Sequence, residues 1–241
     1  MTDLGGMKYF LGIEVLQLDN GSFICQRKYV KELLTKFRME ESNSVLNPIV
    51  PGSKIHKDEE GVKVNITLYK QLVGSMMYVT ATRPDVMYAI SLISRYMFMP
   101  TELHFAAAKR ILRYLKGTIE YGLFYRRGGN RELVGFTDSD YAGCVEDRKS
   151  TSGYTFILSD ATVAWSSKKQ PIVTLSTTEA KFVAAATCSC QLIWMKRVLG
   201  KISYEGSKKP VIFCDNNSTI KLSKNPIMHG KSKHIDVRFL C

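Results

Sequence analysis

No run of apolar residues in this sequence approaches the roughly 20 that a helix needs to cross a bilayer. The first residues, Met1-Thr2-Asp3-Leu4-Gly5-Gly6, lack both the basic and the apolar stretch of a secretion signal. A membrane role is thereby disfavoured, and the chain is expected to stay inside the cell. Its six cysteines, Cys25, Cys144, Cys188, Cys190, Cys214 and Cys241, show no zinc-type pairing. Several lie in apolar patterns where a reduced cysteine acts as a small hydrophobe, so they read as free thiols. Internal repeats and low-complexity tracts are absent. Acidic residues are outnumbered: the net charge is +12, and both halves of the chain are basic. That balance favours a polyanionic partner.

A length of 241 residues allows one or two domains. The basic, glycine-rich stretch Arg126-Arg127-Gly128-Gly129-Asn130 reads either as the boundary, between domains 1–127 and 128–241, or equally as the tip of a long hairpin. It follows a helical pattern. Near the start, Lys8 to Val15, a polar Asp19-Asn20-Gly21 turn and Ser22 to Gln26 predict a β-hairpin. The proline-interrupted polar segment from Pro48 to Gly61 is expected to be a mobile loop. After Pro100-Thr101, Phe105, Ala108, Ile111, Leu112 and Leu115 recur at helical spacing as a buried stripe, ended by Gly117. On another face Lys109, Arg113 and Lys116 form either a solvated basic surface or a track for a phosphate backbone.

Four acids organise the second half. Asp138 closes Leu133-Val134-Gly135-Phe136-Thr137, where period-2 alternation puts Val134, Phe136 and Asp138 on one strand face. Asp215 repeats the arrangement with Val211 and Phe213. Each carboxylate is thus expected at the carboxyl end of an aromatic-bearing buried face, where open α/β sheets form their sites. Glu179, in the capping-box spacing Ser176-Thr177-Thr178-Glu179, opens a helix running to about Leu199 and shares the sheet-facing stripe with Phe182 and Val183. Asp236 follows the loop Gly230 to Ile235 at the start of a last helix. Taken singly, these acids are turn formers, caps or helix-start acids. As a set they read as a two-metal nuclease site, and ligands that are all oxygen suit Mg²⁺ rather than zinc.

The stretches Gly135 to Gly143, Asp147 to Tyr154, Trp165 to Gln170, Leu175 to Ala180, Cys214-Asp215-Asn216 and Lys233 to Arg238 together resemble the ribonuclease H domain of Ty1/copia-type retrotransposon polyproteins. The upstream half is similar to the sequence after the polymerase site in the same family. Lys8 to Val15 with Ser22 to Gln26 resembles a primer-grip hairpin. Tyr69 to Tyr78, Thr82-Arg83-Pro84-Asp85 and His104 to Thr118 resemble the thumb and connection. The resemblance implies an α/β chain: an RNase H-like, mixed five-stranded sheet with flanking helices, after a mainly helical thumb and connection region with an N-terminal hairpin. It also implies cleavage of the RNA strand of RNA–DNA hybrids with two Mg²⁺ ions, or Mn²⁺ in their place, held by Asp138, Glu179, Asp215 and Asp236.

By the same resemblance, phosphate contacts fall to Lys109, Arg113, Lys116, Arg148, Lys149, Lys168, Lys169, Lys231 and Lys233. His229 is the preferred proton shuttle, with His234 the alternative. The partners would be a hybrid or other nucleic acid and the rest of a Pol polyprotein, in a cytoplasmic particle or the nucleus. No two aspartates are adjacent in this sequence, so the Tyr-x-Asp-Asp hairpin of a reverse transcriptase is missing and polymerisation is not expected. Family members carry a second acid two residues after the helix glutamate, where this chain has Lys181. Its i, i+2 relation to Glu179 predicts that it points away from the metals. Asp236 stands close to Cys241, which leaves little more than one turn for its helix, a domain truncated at its C-terminal side and a weakly placed fourth ligand. Three readings follow: an RNase H-type endonuclease, a silent relic or domesticated fragment that only binds nucleic acid, and an effector-like interaction module.

Overall fold

The structure, a computed structural model, describes residues 6–128, 132–202 and 210–225. The chain divides into two compact units, Met1–Gly129 with Ser159–Ala161, and Asn130–Leu158 with Thr162–Cys241. The described residues form two four-stranded sheets and six α-helices.

In the first unit, β1 (Tyr9–Phe10), β2 (Ile13–Leu18), β3 (Gly21–Cys25) and β4 (Gly122–Arg126) lie side by side in that order, each pair antiparallel. The expected hairpin is β2–β3, with Leu18 opposite Gly21 across the turn. The fourth strand corrects the expectation that a helical pattern leads directly to the boundary. Its Leu123-Phe124-Tyr125 run is better suited to a pleated surface than to a helix, and Phe124 stands opposite Phe23. A Cβ on Gly122 would collide with the Ile24 carbonyl, so glycine is what allows β4 to close on β3 there.

Four helices complete this unit: α1 (Arg27–Lys36), α2 (Ile66–Val79), α3 (Met87–Ile93) and α4 (Glu102–Gly117). The α4 stripe falls where its periodicity predicts. Ala108, Ile111, Leu112 and Leu115 are fully buried, and Phe105 packs at their edge. Each of the isoleucine and leucine side chains contributes about 1.5–3 kcal/mol by leaving water. The segment from Pro48 to Gly61 is tethered rather than loose. Buried His104 accepts the Thr101 N–H at Nδ1 (2.9 Å) and donates from Nε2 to the His56 carbonyl (2.8 Å), which fixes its neutral tautomer. Tyr96 stacks on that ring and donates to the Ile55 carbonyl (2.9 Å), while Thr101 Oγ1 donates to Asp58 (2.6 Å).

Arg83 ties the ends of this helical layer together. Its guanidinium grips Asp85 with two bonds (2.9 and 2.7 Å) and donates to the Thr118 carbonyl (2.9 Å), and Tyr114 donates to the same aspartate (2.9 Å). The arginine side chain is only 3% exposed.

In the second unit, β5 (Val134–Ser139), β6 (Thr151–Leu158), β7 (Ala161–Lys169) and β8 (Val211–Phe213) form a sheet in the order β7-β6-β5-β8. β5 runs antiparallel to β6 and parallel to β8, with α5 (Thr177–Lys201) between β7 and β8 in the chain and α6 (Asn217–Lys224) after it. The two-residue turn Ser159-Asp160 has positive φ at both positions (53° and 64°), as a type I′ hairpin demands. The sheet has four strands among the described residues, against the five expected.

The face assignment is also corrected. Gly135, Thr137 and Ser139 are the buried side of β5, whereas Phe136 and Phe213 are 41% and 53% exposed. A Cβ on Gly135 would stand 2.7 Å from the Phe156 ring. The glycine therefore lets that ring pack over β5, where it joins Cys188, Leu192 and Met195 of α5 in the core. Burial pushes the Cys188 thiol up to about 12, consistent with a free, packed cysteine.

Arg83→Ala is expected to destabilise the chain by about 3 kcal/mol or more in urea unfolding, because it strands Asp85 without its counter-charge. Arg83→Lys should recover little, since an ammonium cannot reproduce the two-pronged grip. Loss below about 1 kcal/mol on Arg83→Ala would contradict this role.

Candidate active site

Parallel pairing brings Asp138 and Asp215 together. Phe136 is registered with Phe213, so the two aspartates each lie two residues beyond a paired position on neighbouring strands. The phenylalanines stack with centroids 5.3 Å apart on the exposed face. A short helix sets the turn that carries Asp215. Asn216 caps α6 by accepting the Thr219 N–H (2.8 Å), and Thr219 Oγ1 donates to the Thr178 carbonyl (3.1 Å), fastening the start of α6 to the start of α5. Helix α6 is not among the expected elements, although Asn216 three residues before Thr219 is a readable N-cap signal.

Glu179 is buried in the first turn of α5, on the helix face that also buries Val183. Ser176 caps that helix by accepting the Glu179 N–H (3.1 Å), as its spacing predicts. The glutamate's return bond goes one residue further back, its Oε2 accepting the Leu175 N–H (2.7 Å). That contact supports a carboxylate withdrawn from water.

Lys181 overturns its expected direction. Its Nζ lies 3.0 Å from Asp138 Oδ1 and is also bonded to Asp215 Oδ1. Helical side chains lean toward the helix N-terminus, and the four-carbon stem of lysine carries its charge back over the first turn to the strand ends. The side chain is 18% exposed, against 73% for Asp138 and 66% for Asp215. The bond to Asp215 outweighs burial and, with Asp138, raises the Lys181 ammonium above its ordinary pKa; the same bond lowers the Asp215 carboxyl. Among the described residues no three of Asp, Glu, His and Cys are grouped so as to hold a metal ion. The donor chemistry suits Mg²⁺, but the arrangement does not fit it: two carboxylates share an ammonium, and the third is bonded to its own loop.

Asp140, just past β5 and two residues from Asp138, accepts the Thr151 N–H at Oδ1 (2.6 Å). Arg113 and Lys116 donate to the carbonyls of Asn43 (2.6 Å) and Ser42 (2.9 Å), and Lys109 lies over the Phe105 ring. Phosphate contact through this face would have to exchange those carbonyls. Arg148 and Lys168 are exposed, while Lys149 and Lys169 pair with Asp147 at 3.9 and 2.8 Å. Asp236, His229, His234, Lys231 and Lys233 lie outside the described residues.

The chain is 38% identical over 233 residues to a retrovirus-related Pol polyprotein from transposon RE1 of Arabidopsis thaliana, covering 97% of this chain and 16% of that protein. It is 37% identical over 249 residues to the corresponding polyprotein from transposon TNT 1-94 of Nicotiana tabacum, covering 99% of this chain and 18% of the relative. The chain belongs to the Pol polyproteins of copia-type transposons. A smaller relative, secreted RxLR effector protein 161 of Plasmopara viticola, matches at 44% over 128 residues, 53% of this chain and 90% of its own length. No family model and no solved structure matches this Pol segment.

Asp147 offers a test of the electrostatics in the second unit of this Pol segment. Partial burial pushes its carboxyl up, but the Lys169 ammonium, the Cys144 thiol and the Lys149 N–H (3.2 Å) outweigh that and bring it from 3.8 to about 2. A carboxyl lowered on folding stabilises above its ordinary pKa and loses that contribution as pH falls through the folded value. The melting-temperature advantage of the parent over Asp147→Asn should therefore be present at neutral pH and shrink from about pH 4 to about pH 2. A difference that stays constant over that window would contradict the assignment.

Proposed function

We propose that this Pol segment is an RNase H-type unit that acts on RNA–DNA hybrids, preceded by a thumb and connection region. The observation that carries the reading is the side-by-side placement of Asp138 and Asp215 by the parallel β5–β8 pair. Glu179 at the head of the intervening helix and the family of the chain add support. The proposed reaction is hydrolysis of the RNA strand, with the 2′-hydroxyl and hybrid groove shape selecting RNA, and Mg²⁺ or Mn²⁺ would serve it only by displacing Lys181 from Asp138 and Asp215. The net charge of +12 supports binding through phosphates. Hybrid binding without cleavage is the second reading, and the Lys181 contact with both aspartates favours it.

The test is incubation of the purified 241-residue chain with end-labelled RNA–DNA hybrid, with and without Mg²⁺ or Mn²⁺. Cleavage is expected only with the cation, lost in Asp138→Asn and Asp215→Asn with the circular dichroism spectrum unchanged. Primer extension is expected under neither metal. Salt-dependent binding without cleavage would select the second reading, and an Asp138→Asn protein as active as the parent would refute the site.

A further inference from the structure

The mismatch between the two aspartates and a divalent ion resides in one residue. Asp138 and Asp215 present their carboxylates at the ends of adjacent strands, both largely exposed, and the group joining them is the Lys181 ammonium on a mostly buried stem. Asp215 gives the ammonium one oxygen, and Asp138 gives it another at 3.0 Å. A divalent cation held by these carboxylates would compete with the ammonium for those oxygens or be left with the second oxygen of each. Its charge would also face a fixed positive charge a few ångströms away.

We propose that Lys181 is an internal counter-ion that takes the place of a divalent cation between Asp138 and Asp215, making the centre of this chain selective against metal. The inference rests on the reading that these two aspartates are the hydrolytic centre. Lys181 acts here through the aspartates, as a residue that sets which cation they accept. It also supports the order of the site without metal: two like charges on neighbouring strand ends repel, and one ammonium donating to both relieves that repulsion. Because Ser176 and Asn216 cap the two helices that flank the pair, the loss of Lys181 should leave the backbone of the centre in place.

Mn²⁺ binding reads this directly, by electron paramagnetic resonance of the free ion titrated with protein. The parent should bind Mn²⁺ weakly. Lys181→Gln, which keeps a polar side chain one atom shorter and removes the charge, should tighten binding by about tenfold or more, moderated by solvent screening of the exposed carboxylates. Lys181→Arg, which keeps the charge, should stay weak. Adding Asp138→Asn to Lys181→Gln should abolish the gain. Equal affinity in parent and Lys181→Gln, a gain that survives Asp138→Asn, or no binding by any variant would each overturn the proposal. Thermal unfolding of each variant verifies that it is folded. Hybrid cleavage separates the two claims. If Lys181→Gln gains Mn²⁺ yet never cuts hybrid, the counter-ion stands and the RNase H reading falls. If the parent cuts hybrid and Lys181→Gln binds Mn²⁺ no better, the reverse holds.

Discussion

One ammonium set between two carboxylates is the contact on which the centre of the second unit depends. Asp138 stands on β5 and Asp215 two residues past β8, strands registered in parallel, so their closeness follows from the sheet and not from their own preference. Unscreened, that placement is repulsive. Lys181 makes it tenable by donating to both, and it can do so only because α5 begins where the strands end.

The elements around the contact serve to bring that helix start to that sheet edge. Small residues on β5 admit the Phe156 ring, and α5 packs over it. Ser176 caps α5, Asn216 caps α6, and the Thr219 hydroxyl joins the two helix starts through the Thr178 carbonyl. One oxygen of Glu179 accepts the Leu175 N–H, which stiffens the approach to α5. The result has the acid order of a hydrolytic centre and the charge balance of an ion pair. That combination separates what the family suggests from what this chain's own side chains do.

Features encoded by neighbours along the chain are legible in the amino-acid sequence. The α4 stripe, the β2–β3 hairpin, the Ser176 cap and the two strand ends bearing Asp138 and Asp215 all follow from periodicity or capping rules. Features set by distant partners are not. Period-2 alternation groups Phe136 with Asp138, yet which face is buried depends on where α5 lands, and it lands on the side of Gly135. Strand β4 exists because β3 offers it an edge. Helical phase alone turns Lys181 away from Glu179. Its stem length and the backward lean of helical side chains carry the charge to Asp138 and Asp215 instead. The basic face of α4 has the spacing of a surface for phosphate, but two of its cations hold loop carbonyls.

The most direct measurement of the central claim is nuclear magnetic resonance of the Lys181 side chain in metal-free protein labelled with ¹⁵N and ¹³C. An ammonium held by two carboxylates exchanges its protons slowly. Its nitrogen should show hydrogen-bond couplings to the side-chain carboxyl carbons of Asp138 and Asp215, the latter lost in Asp215→Asn. An ammonium that exchanges as fast as the exposed lysines, with no coupling to either carboxylate, would contradict the account.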